Sequence, residues 1–394
     1  MNRQHAGIIV GGVLLLMIAM GISRFAYTPI LPFMRVDAHL TFSQGGLLAS
    51  SNYIGYFIGA LGAAFIFRSK KNFLLLNVLI NIASVLFMGL IDSYMIWLVL
   101  RLIAGITGGF IFVLTSSIVM DYLATHFLTR FSGYVFSGIG LGIATSGLLV
   151  PFFEARIEWQ GSWIGLGMLS TLFLLTTLVL WRKLVVPNRI QTKQAEQTSI
   201  WQGFMPWLIL AYGLEGLGYI VTGTFLVDII YNIDALRSYA GYSWVVVGIA
   251  AIPSAPIWMK LMTRFSTISM MALAYIMQII GILLPVLSQT AWSVLLSAFL
   301  FGFTFVGLVT MSTGYARELF PKQSAYVVSM LTTFYALGQI VGPVMASRLE
   351  TYFETFKAPL LFAGATVTLA LVILLVGYHY HKKKSVPVAQ ELYN

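Results

Sequence analysis

The chain has 394 residues, of which 59% are hydrophobic and only 9% are charged. Soluble domains carry about 25% charged residues, so this chain lacks the polar surface that would keep it in water. The sequence contains no cysteine, which excludes disulfides, cysteine-ligated metal sites and covalent haem attachment. Its formal net charge is +10, but the basic residues lie in short segments between apolar runs, a pattern typical of membrane proteins. We therefore expect no nucleic-acid partner.

Apolar runs long enough to cross a bilayer recur along the whole chain, since a membrane-spanning helix needs about 20 apolar residues. The runs predict twelve helices, at about 8–34, 43–67, 72–92, 94–120, 131–153, 160–183, 204–231, 241–261, 268–288, 291–316, 326–347 and 358–380. The first run is too long for the apolar core of a signal peptide, so we predict a retained span there. The runs lack the alternating polarity of β-barrel strands. The predicted fold class is therefore an all-α membrane protein.

The distribution of lysine and arginine predicts the orientation of these helices. If the N-terminus lies inside, 16 of these residues fall in cytoplasmic segments and 5 in the outer loops. This is the bias that the positive-inside rule describes. We therefore expect a multi-pass membrane protein, with both termini in the cytoplasm and the lipid bilayer as its surroundings.

The longest polar segment divides the twelve helices into two groups of six. It contains PNRIQTKQAEQTS and predicts a linker between two bundles. The predicted units are an N-terminal six-helix bundle at 1–184, a cytoplasmic linker at 185–203, a C-terminal six-helix bundle at 204–381 and a cytoplasmic tail at 382–394. A shift of 196 residues places Arg68 on Arg264 and Gly142 on Gly338. Parallel repeats of this kind are a known transporter architecture.

Three ionisable residues lie well inside predicted spans, namely Arg24, Arg101 and Glu215. A charge at the bilayer centre costs about 2.5–3.5 kcal/mol even on insertion scales, so such residues usually face a cavity or a partner. One interpretation is a substrate pocket in which the arginines attract an anionic or polar group and Glu215 takes up or releases a proton. The alternative is structural: Arg24 and Glu215 pair across the two halves as a latch, and Arg101 serves helix packing.

Polar residues at helical spacing from these charges, or on neighbouring spans, extend the candidate site. The candidate substrate-binding or coupling residues beside the three charges are Tyr27, Thr28, Asn52, Tyr219, Tyr335 and Gln339, with Tyr53, Tyr56 and Thr222 as further polar neighbours. Buried tyrosine, serine and threonine in a helical bundle also commonly bridge helices without touching a ligand. Both interpretations stay open for each of these residues.

Glycines four residues apart recur in the spans, and we interpret them as positions where helices pack closely. The pairs are Gly105 with Gly109, Gly138 with Gly142, and Gly338 with Gly342, the last followed by Pro343. Neither a G-x-x-x-x-G-K-[ST] nucleotide motif nor an H-E-x-x-H zinc motif occurs in the sequence. We therefore expect neither an enzyme nor an ATP-driven pump, and no metal or cofactor.

Several segments match the motifs of a known superfamily. Arg101-Leu-Ile-Ala-Gly105-Ile-Thr-Gly-Gly109 is similar to an R-x-x-x-G-x-x-x-G motif, and 133–151 is similar to a glycine-rich interface helix. With the six-plus-six division, these features resemble the major facilitator superfamily over essentially the whole chain. The loop at 59–72 keeps the basic residues of that superfamily's G-x-L-A-D-R-x-G-R-R motif but lacks its acid.

Within that superfamily, segments at 21–32, 214–219 and 338–343 resemble the YbfB/YjiJ-type branch of bacterial transporters. The resemblance implies alternating access, in which two halves rock around a cavity lined by the first, fourth, seventh and tenth helices. Arg24, Arg101 and Glu215 lie on three of these four helices.

We therefore expect a secondary active transporter of a small organic solute, coupled to protons through Glu215 and favouring an anionic or polar substrate because of the arginines. Two alternatives stay open. One is a multidrug or metabolite efflux pump of the same fold, in which the acid binds a lipophilic cation. The other is a membrane sensor that does not transport. No obligate protein partner is expected.

Overall fold

A computed structural model of the chain describes residues 3–63, 66, 69–128, 131–185 and 199–391, and the regular structure in these ranges is helical throughout. The first half contains α1 (Arg3–Asp37), α2 (Phe42–Gly62), α3 (Lys70–Leu90), α4 (Tyr94–Thr125) and the stretch Gly133–Leu180, which divides into α5 (133–156) and α6 (159–180). The second half contains α7 (Met205–Tyr231), α8 (Ala240–Met262), α9 (Thr267–Leu287), α10 (Ala291–Leu319), α11 (Ser324–Phe353) and α12 (Lys357–Glu391).

These twelve helices confirm the predicted all-α membrane fold. Ten helical stretches of the described residues are long and apolar enough to cross a membrane. One of these, Gly133–Leu180, holds both α5 and α6, because only Ile157 and Glu158 leave helical geometry between them. The remaining helix, α2, is more polar because it carries serine, asparagine and tyrosine side chains that bond to neighbouring helices, and a glutamine that caps its own first turn.

Several predicted boundaries differ from the observed ones. The helix predicted at 43–67 ends at Gly62, and residues 64, 65, 67 and 68 lie outside the described part of the chain. Helices α4, α11 and α12 continue past their predicted ends because polar residues extend them beyond the apolar runs. Most of the predicted linker, at 186–198, lies outside the described residues.

Helix α1 is not a regular α-helix. Its segment Met17–Ile22 is a π-helix, with hydrogen bonds from the Ser23 amide to the Ile18 carbonyl at 2.9 Å and from the Phe25 amide to the Met20 carbonyl at 3.0 Å. A turn follows before the α-helix resumes at Tyr27. π-Bulges of this kind insert an extra residue into a helix and often occur at functional sites. The irregular segment holds Arg24 in the middle of the fold.

The two halves meet along specific helix pairs. Helix α5 packs on α8 from Gly133 beside Pro256 to Pro151 beside Gly241, and α2 packs on α11. The last part of α1 also packs on α7. Among the described residues, the first part of α1 has no substantial contact with the second half, and α4 hardly touches α10.

The contacts between the halves therefore differ along the fold. We call the end where α1 begins and α12 ends the terminal face, and the opposite end the far face. The contacts of the last part of α1 with α7 close the far face, whereas α4 and α10 make almost no contact among the described residues. A Cβ atom placed on Gly314 of α10 would meet nothing within 4 Å, so this part of α10 borders open space.

Candidate functional site

An ion pair lies at the closed far face. Arg35 Nη1 donates to Asp228 Oδ2 at 2.5 Å, which joins the end of α1 to the end of α7. Asp228 is fully buried and also accepts a hydrogen bond from Asn232 at 3.2 Å. Beneath the pair, the Phe42 ring stacks on Phe225 with 4.1 Å between centroids. The far face is thus closed by a charged pair over an aromatic layer.

Further hydrogen bonds tie the two halves together just inside this closure. The Thr28 hydroxyl donates to the Gly223 carbonyl at 2.6 Å, and the Tyr53 hydroxyl lies 3.1 Å from Thr224 Oγ1. Ser50 donates to the Ile340 carbonyl at 2.9 Å. The hydroxyl of the candidate residue Thr28 is therefore bound to backbone across the halves in this state.

Arg24 lies deeper, at the centre of the contact between the halves. Its guanidinium carbon is 4.4 Å from the centroid of the Tyr56 ring and 4.8 Å from that of Tyr53, distances typical of cation–π contacts. Arg24 Nη2 donates to Gln339 Oε1 at 2.8 Å, whereas its Nε has no hydrogen-bond partner in the described structure. The described residues give this cation no carboxylate partner.

Gln339 connects Arg24 to the second half of the chain. Its Nε2 donates to the Tyr219 hydroxyl at 2.5 Å. Because Gln339 also accepts from Arg24, one carboxamide bridges α1 and α7 from its place on α11. The candidate residues Arg24, Tyr219 and Gln339 thus come together in one hydrogen-bonded chain.

Next to this chain stands a column of nearly parallel aromatic rings from α7, α10 and α11. Tyr335 stacks on Tyr212 at 4.3 Å and lies 5.4 Å from Tyr219, which in turn faces Phe305 at 6.0 Å and Phe301 at 6.2 Å. The interplanar angles of these four pairs run from 7° to 18°. The sequence interpretation includes Tyr219 and Tyr335 but misses the phenylalanines, because phenylalanine in an apolar span is not distinguishable from lipid-facing residues.

Glu215 lies in the second half, away from Arg24. It is fully buried, and its Oε1 accepts a hydrogen bond from Gln278 Nε2 of α9 at 3.1 Å. Its other carboxyl oxygen has no hydrogen-bond partner among the described residues. The suggested latch between Arg24 and Glu215 is therefore wrong for this state: each residue bonds to a glutamine, and within the described part of the chain the ion pair that joins the halves is Arg35 with Asp228. The sequence interpretation left Asp228 out because it lies close to the predicted end of its span.

Arg101, Asn52 and Tyr27 donate hydrogen bonds to main-chain carbonyl oxygens. Arg101 Nη1 donates to the Ser23 carbonyl at 2.8 Å, and its guanidinium lies 4.6 Å from the Tyr27 ring. Asn52 donates to the Arg101 carbonyl at 3.0 Å, and the Tyr27 hydroxyl donates to the Gly45 carbonyl at 2.8 Å. These contacts hold α1, α2 and α4 together around the irregular turn of α1, which places Arg101, Asn52 and Tyr27 beside the site as supports.

The predicted glycine pairs lie at helix contacts. A Cβ atom on Gly105 or Gly109 would collide with the backbone of α2, and one on Gly138 or Gly142 with the backbone of α1. A Cβ atom on Gly338 or Gly342 would collide with α7. The contact of Gly142 with Gly21 brings α5 against the π-helix of α1. Pro343, which follows the last glycine, accepts a hydrogen bond from Ser347 through its carbonyl at 2.5 Å.

Comparison with known proteins agrees with this architecture. The family model described as "Uncharacterised MFS-type transporter YbfB" matches residues 16–375. The chain belongs to this family. It is a multi-pass membrane transporter of the major facilitator superfamily and not an enzyme, as the sequence motifs predicted.

The individual proteins to which the chain is similar have low sequence identity with it. The chain is 21% identical over 376 residues to the quinolone resistance protein NorA of Staphylococcus aureus strains COL and Mu50, which covers 90% of this chain and 92% of each relative. A mutant of the nucleoside transporter NupG has a similar structure, with a TM-score of 0.77, 13% identity and coverage of 96% of this chain and 100% of that one. A bacterial homologue of the human lysosomal transporter Spinster, inward-facing and unoccupied, has a TM-score of 0.66 at 16% identity and covers 97% of each chain.

Proposed function

We propose that this protein is a secondary active transporter that moves a small organic anion across a bacterial cytoplasmic membrane by alternating access. In this proposal the two bundles, at 1–184 and 204–381, rock about the contacts of α5 with α8 and α2 with α11. In this proposal the terminal face is cytoplasmic, and the state described above, with its far face closed, takes up its ligand from the cytoplasm.

One observation carries the choice of an anion: Arg24 is buried between the two halves without a carboxylate partner in the described chain. Arg35 has Asp228, and Arg101, which also has no carboxylate partner there, donates to two backbone carbonyls of its own half. A buried cation without a counter-ion is costly. An anionic ligand that enters from the terminal face would supply the missing charge and occupy the free hydrogen-bonding position of the guanidinium. Tyr219, Tyr335 and Gln339 would then line the same site.

Glu215 supplies the coupling proton in this proposal. Among the described residues, its carboxyl group accepts a hydrogen bond from Gln278 and forms no ion pair. Charge at this depth is unfavourable without a partner, so a change of protonation state alters the energy of the states in which Glu215 is buried. Proton binding and release at Glu215 would thereby be linked to the rocking of the halves.

A second candidate function is efflux of lipophilic cations. It is favoured by the aromatic column on the same helices as Glu215 and its neighbours, and the similarity to a quinolone resistance protein supports a drug as the transported ligand. In that case Glu215 would bind the cation and Arg24 would serve only to hold α1 against α11.

A thermal-shift titration distinguishes the two candidates. Wild-type protein and Arg24→Gln protein are titrated with mandelate and with phenylethanolamine, a cation of similar size. A ligand that binds only the native state raises the melting temperature by mass action. The proposal expects mandelate to stabilise the wild type and not Arg24→Gln. Stabilisation by phenylethanolamine alone would contradict it and favour cation efflux.

A further inference from the structure

The Gln339 carboxamide occupies the position on Arg24 where an anionic ligand would bind. Its Oε1 accepts from Arg24 Nη2 at 2.8 Å, as one oxygen of a carboxylate would. A carboxylate bound by arginine usually accepts two parallel hydrogen bonds, whereas the carboxamide takes one and leaves Arg24 Nε unpartnered. Gln339 is thus a neutral and incomplete substitute for a carboxylate.

Gln339 also makes a second hydrogen bond, which reaches α7. Its Nε2 holds the Tyr219 hydroxyl, and Tyr219 belongs to the aromatic column. When Gln339 leaves Arg24, the hydrogen-bonded chain from α1 through α11 to α7 is broken. A ligand that binds Arg24 in place of Gln339 therefore breaks this link between the two halves.

The rings around the site indicate what the rest of the ligand is. Of the aromatic side chains near Arg24 and in the column, Tyr56 and Tyr335 keep the largest exposed fractions, at 8% and 7%. They belong to opposite halves, on α2 and α11. The Tyr335 hydroxyl is buried without a hydrogen-bond partner in the described structure. A flat ring between Tyr56 and Tyr335 would extend the existing column, since stacked aromatic pairs add stabilisation beyond the burial of their area.

We infer that the ligand is an aromatic monocarboxylate whose carboxylate displaces the Gln339 carboxamide from Arg24 and whose ring stacks against Tyr335. This inference rests on the proposed anion transport and adds the substrate class and the role of Gln339. Gln339 is a positioning residue that links the occupation of Arg24 to the contact between α11 and α7.

The ring is tested by a matched pair of anions. Mandelate and hexahydromandelate differ only in the saturation of the ring, and both are titrated against the purified full-length protein in detergent. Mandelate is expected to bind about three- to tenfold more tightly, which corresponds to one added stacking contact. Tyr335→Leu should remove this preference, so that the two anions bind with similar affinity, whereas Tyr352→Leu, at an exposed ring of the same helix, should leave both affinities unchanged.

The displacement is tested at Gln339 itself. Gln339→Glu places a tethered carboxylate on Arg24, so the ligand-free protein should melt at a higher temperature and mandelate should no longer raise it. Gln339→Leu removes the substitute, so the ligand-free protein should melt at a lower temperature while mandelate binding is kept or strengthened.

Each failure has a distinct meaning. Equal affinity of the wild type for mandelate and hexahydromandelate overturns the aromatic class and leaves anion transport standing. Undiminished mandelate binding by Gln339→Glu overturns the displacement. Failure of both anions to stabilise the wild type overturns the proposed function together with this inference.

Discussion

Arg35 at the end of α1 and Asp228 at the end of α7 form a 2.5 Å ion pair that joins the two halves at the far face. The pair lies over the stacked rings of Phe42 and Phe225, also one from each half. Because both layers must separate before the far face can open, they contribute to holding the protein in its present state, together with the hydrogen bonds just inside them.

Replacement of Asp228 by asparagine is expected to weaken this closure. A hydrogen bond to a charged group contributes about 1.5–3 kcal/mol, so the ratio of closed to open far face should fall roughly tenfold to a hundredfold. The natural sequence has no cysteine, so a single cysteine introduced at the buried Thr224 reports opening through its rate of maleimide labelling. Labelling should be faster in the Asp228→Asn background.

The matched control is Asp234→Asn. Asp234 forms an ion pair with Arg237 at 3.3 Å on the same face, but both residues lie in the second half and are exposed. Its loss should leave labelling unchanged. Equal labelling in the Asp228→Asn and wild-type backgrounds would show that this pair does not hold the far face closed.

Replacement of Glu215 by glutamine is expected to abolish proton coupling while leaving the movement of substrate across the membrane intact. The substitution keeps the size of the side chain and an oxygen that can accept from Gln278, but it cannot exchange a proton. In proteoliposomes, uptake of mandelate driven by a pH gradient should be lost, while exchange of labelled for unlabelled mandelate should persist. Uptake that keeps the wild-type dependence on the pH gradient would rule out Glu215 as the proton site.

The fold was predictable because it depends on local properties of the sequence. Apolar runs specify the helices, and the motifs around Arg101 and in 133–151 indicate the superfamily. The high cost of buried charge singles out Arg24 and Glu215, but not their partners. Gln339 is 315 residues from Arg24 and Gln278 is on a different helix from Glu215, and helical spacing predicts neighbours along one helix, not contacts between helices.

Arg101 is expected to affect folding more than ligand binding. Its hydrogen bonds go to the carbonyls of Ser23 and Leu48 at 2.8 and 3.4 Å. Arg101→Gln should therefore lower the free energy of unfolding by roughly 1–3 kcal/mol, seen as a lower melting temperature. The mandelate affinity of the protein that remains folded should change little. A large loss of affinity without a change in melting temperature would instead place Arg101 in the binding site.

Gly142 and Gly314 both lie inside helices but differ in their surroundings, so that Gly314 serves as the control for Gly142. A Cβ atom on Gly142 would lie 2.6 Å from the Gly21 Cα, whereas one on Gly314 would meet nothing within 4 Å. Glycine-to-alanine replacement favours an exposed helix by about 1 kcal/mol. Gly314→Ala should therefore be neutral or stabilising, and Gly142→Ala should lower the melting temperature because α1 and α5 must move apart. Equal effects of the two would contradict the close contact of these helices.

Arg24 is expected to bind the anion that the protein carries across the membrane. Counterflow measures this transport: proteoliposomes loaded with unlabelled mandelate are diluted into labelled mandelate, with protein-free liposomes as the background. Wild-type protein should accumulate the label transiently, and Arg24→Gln protein, reconstituted in equal amount, should not. Equal accumulation by both proteins would contradict the claim.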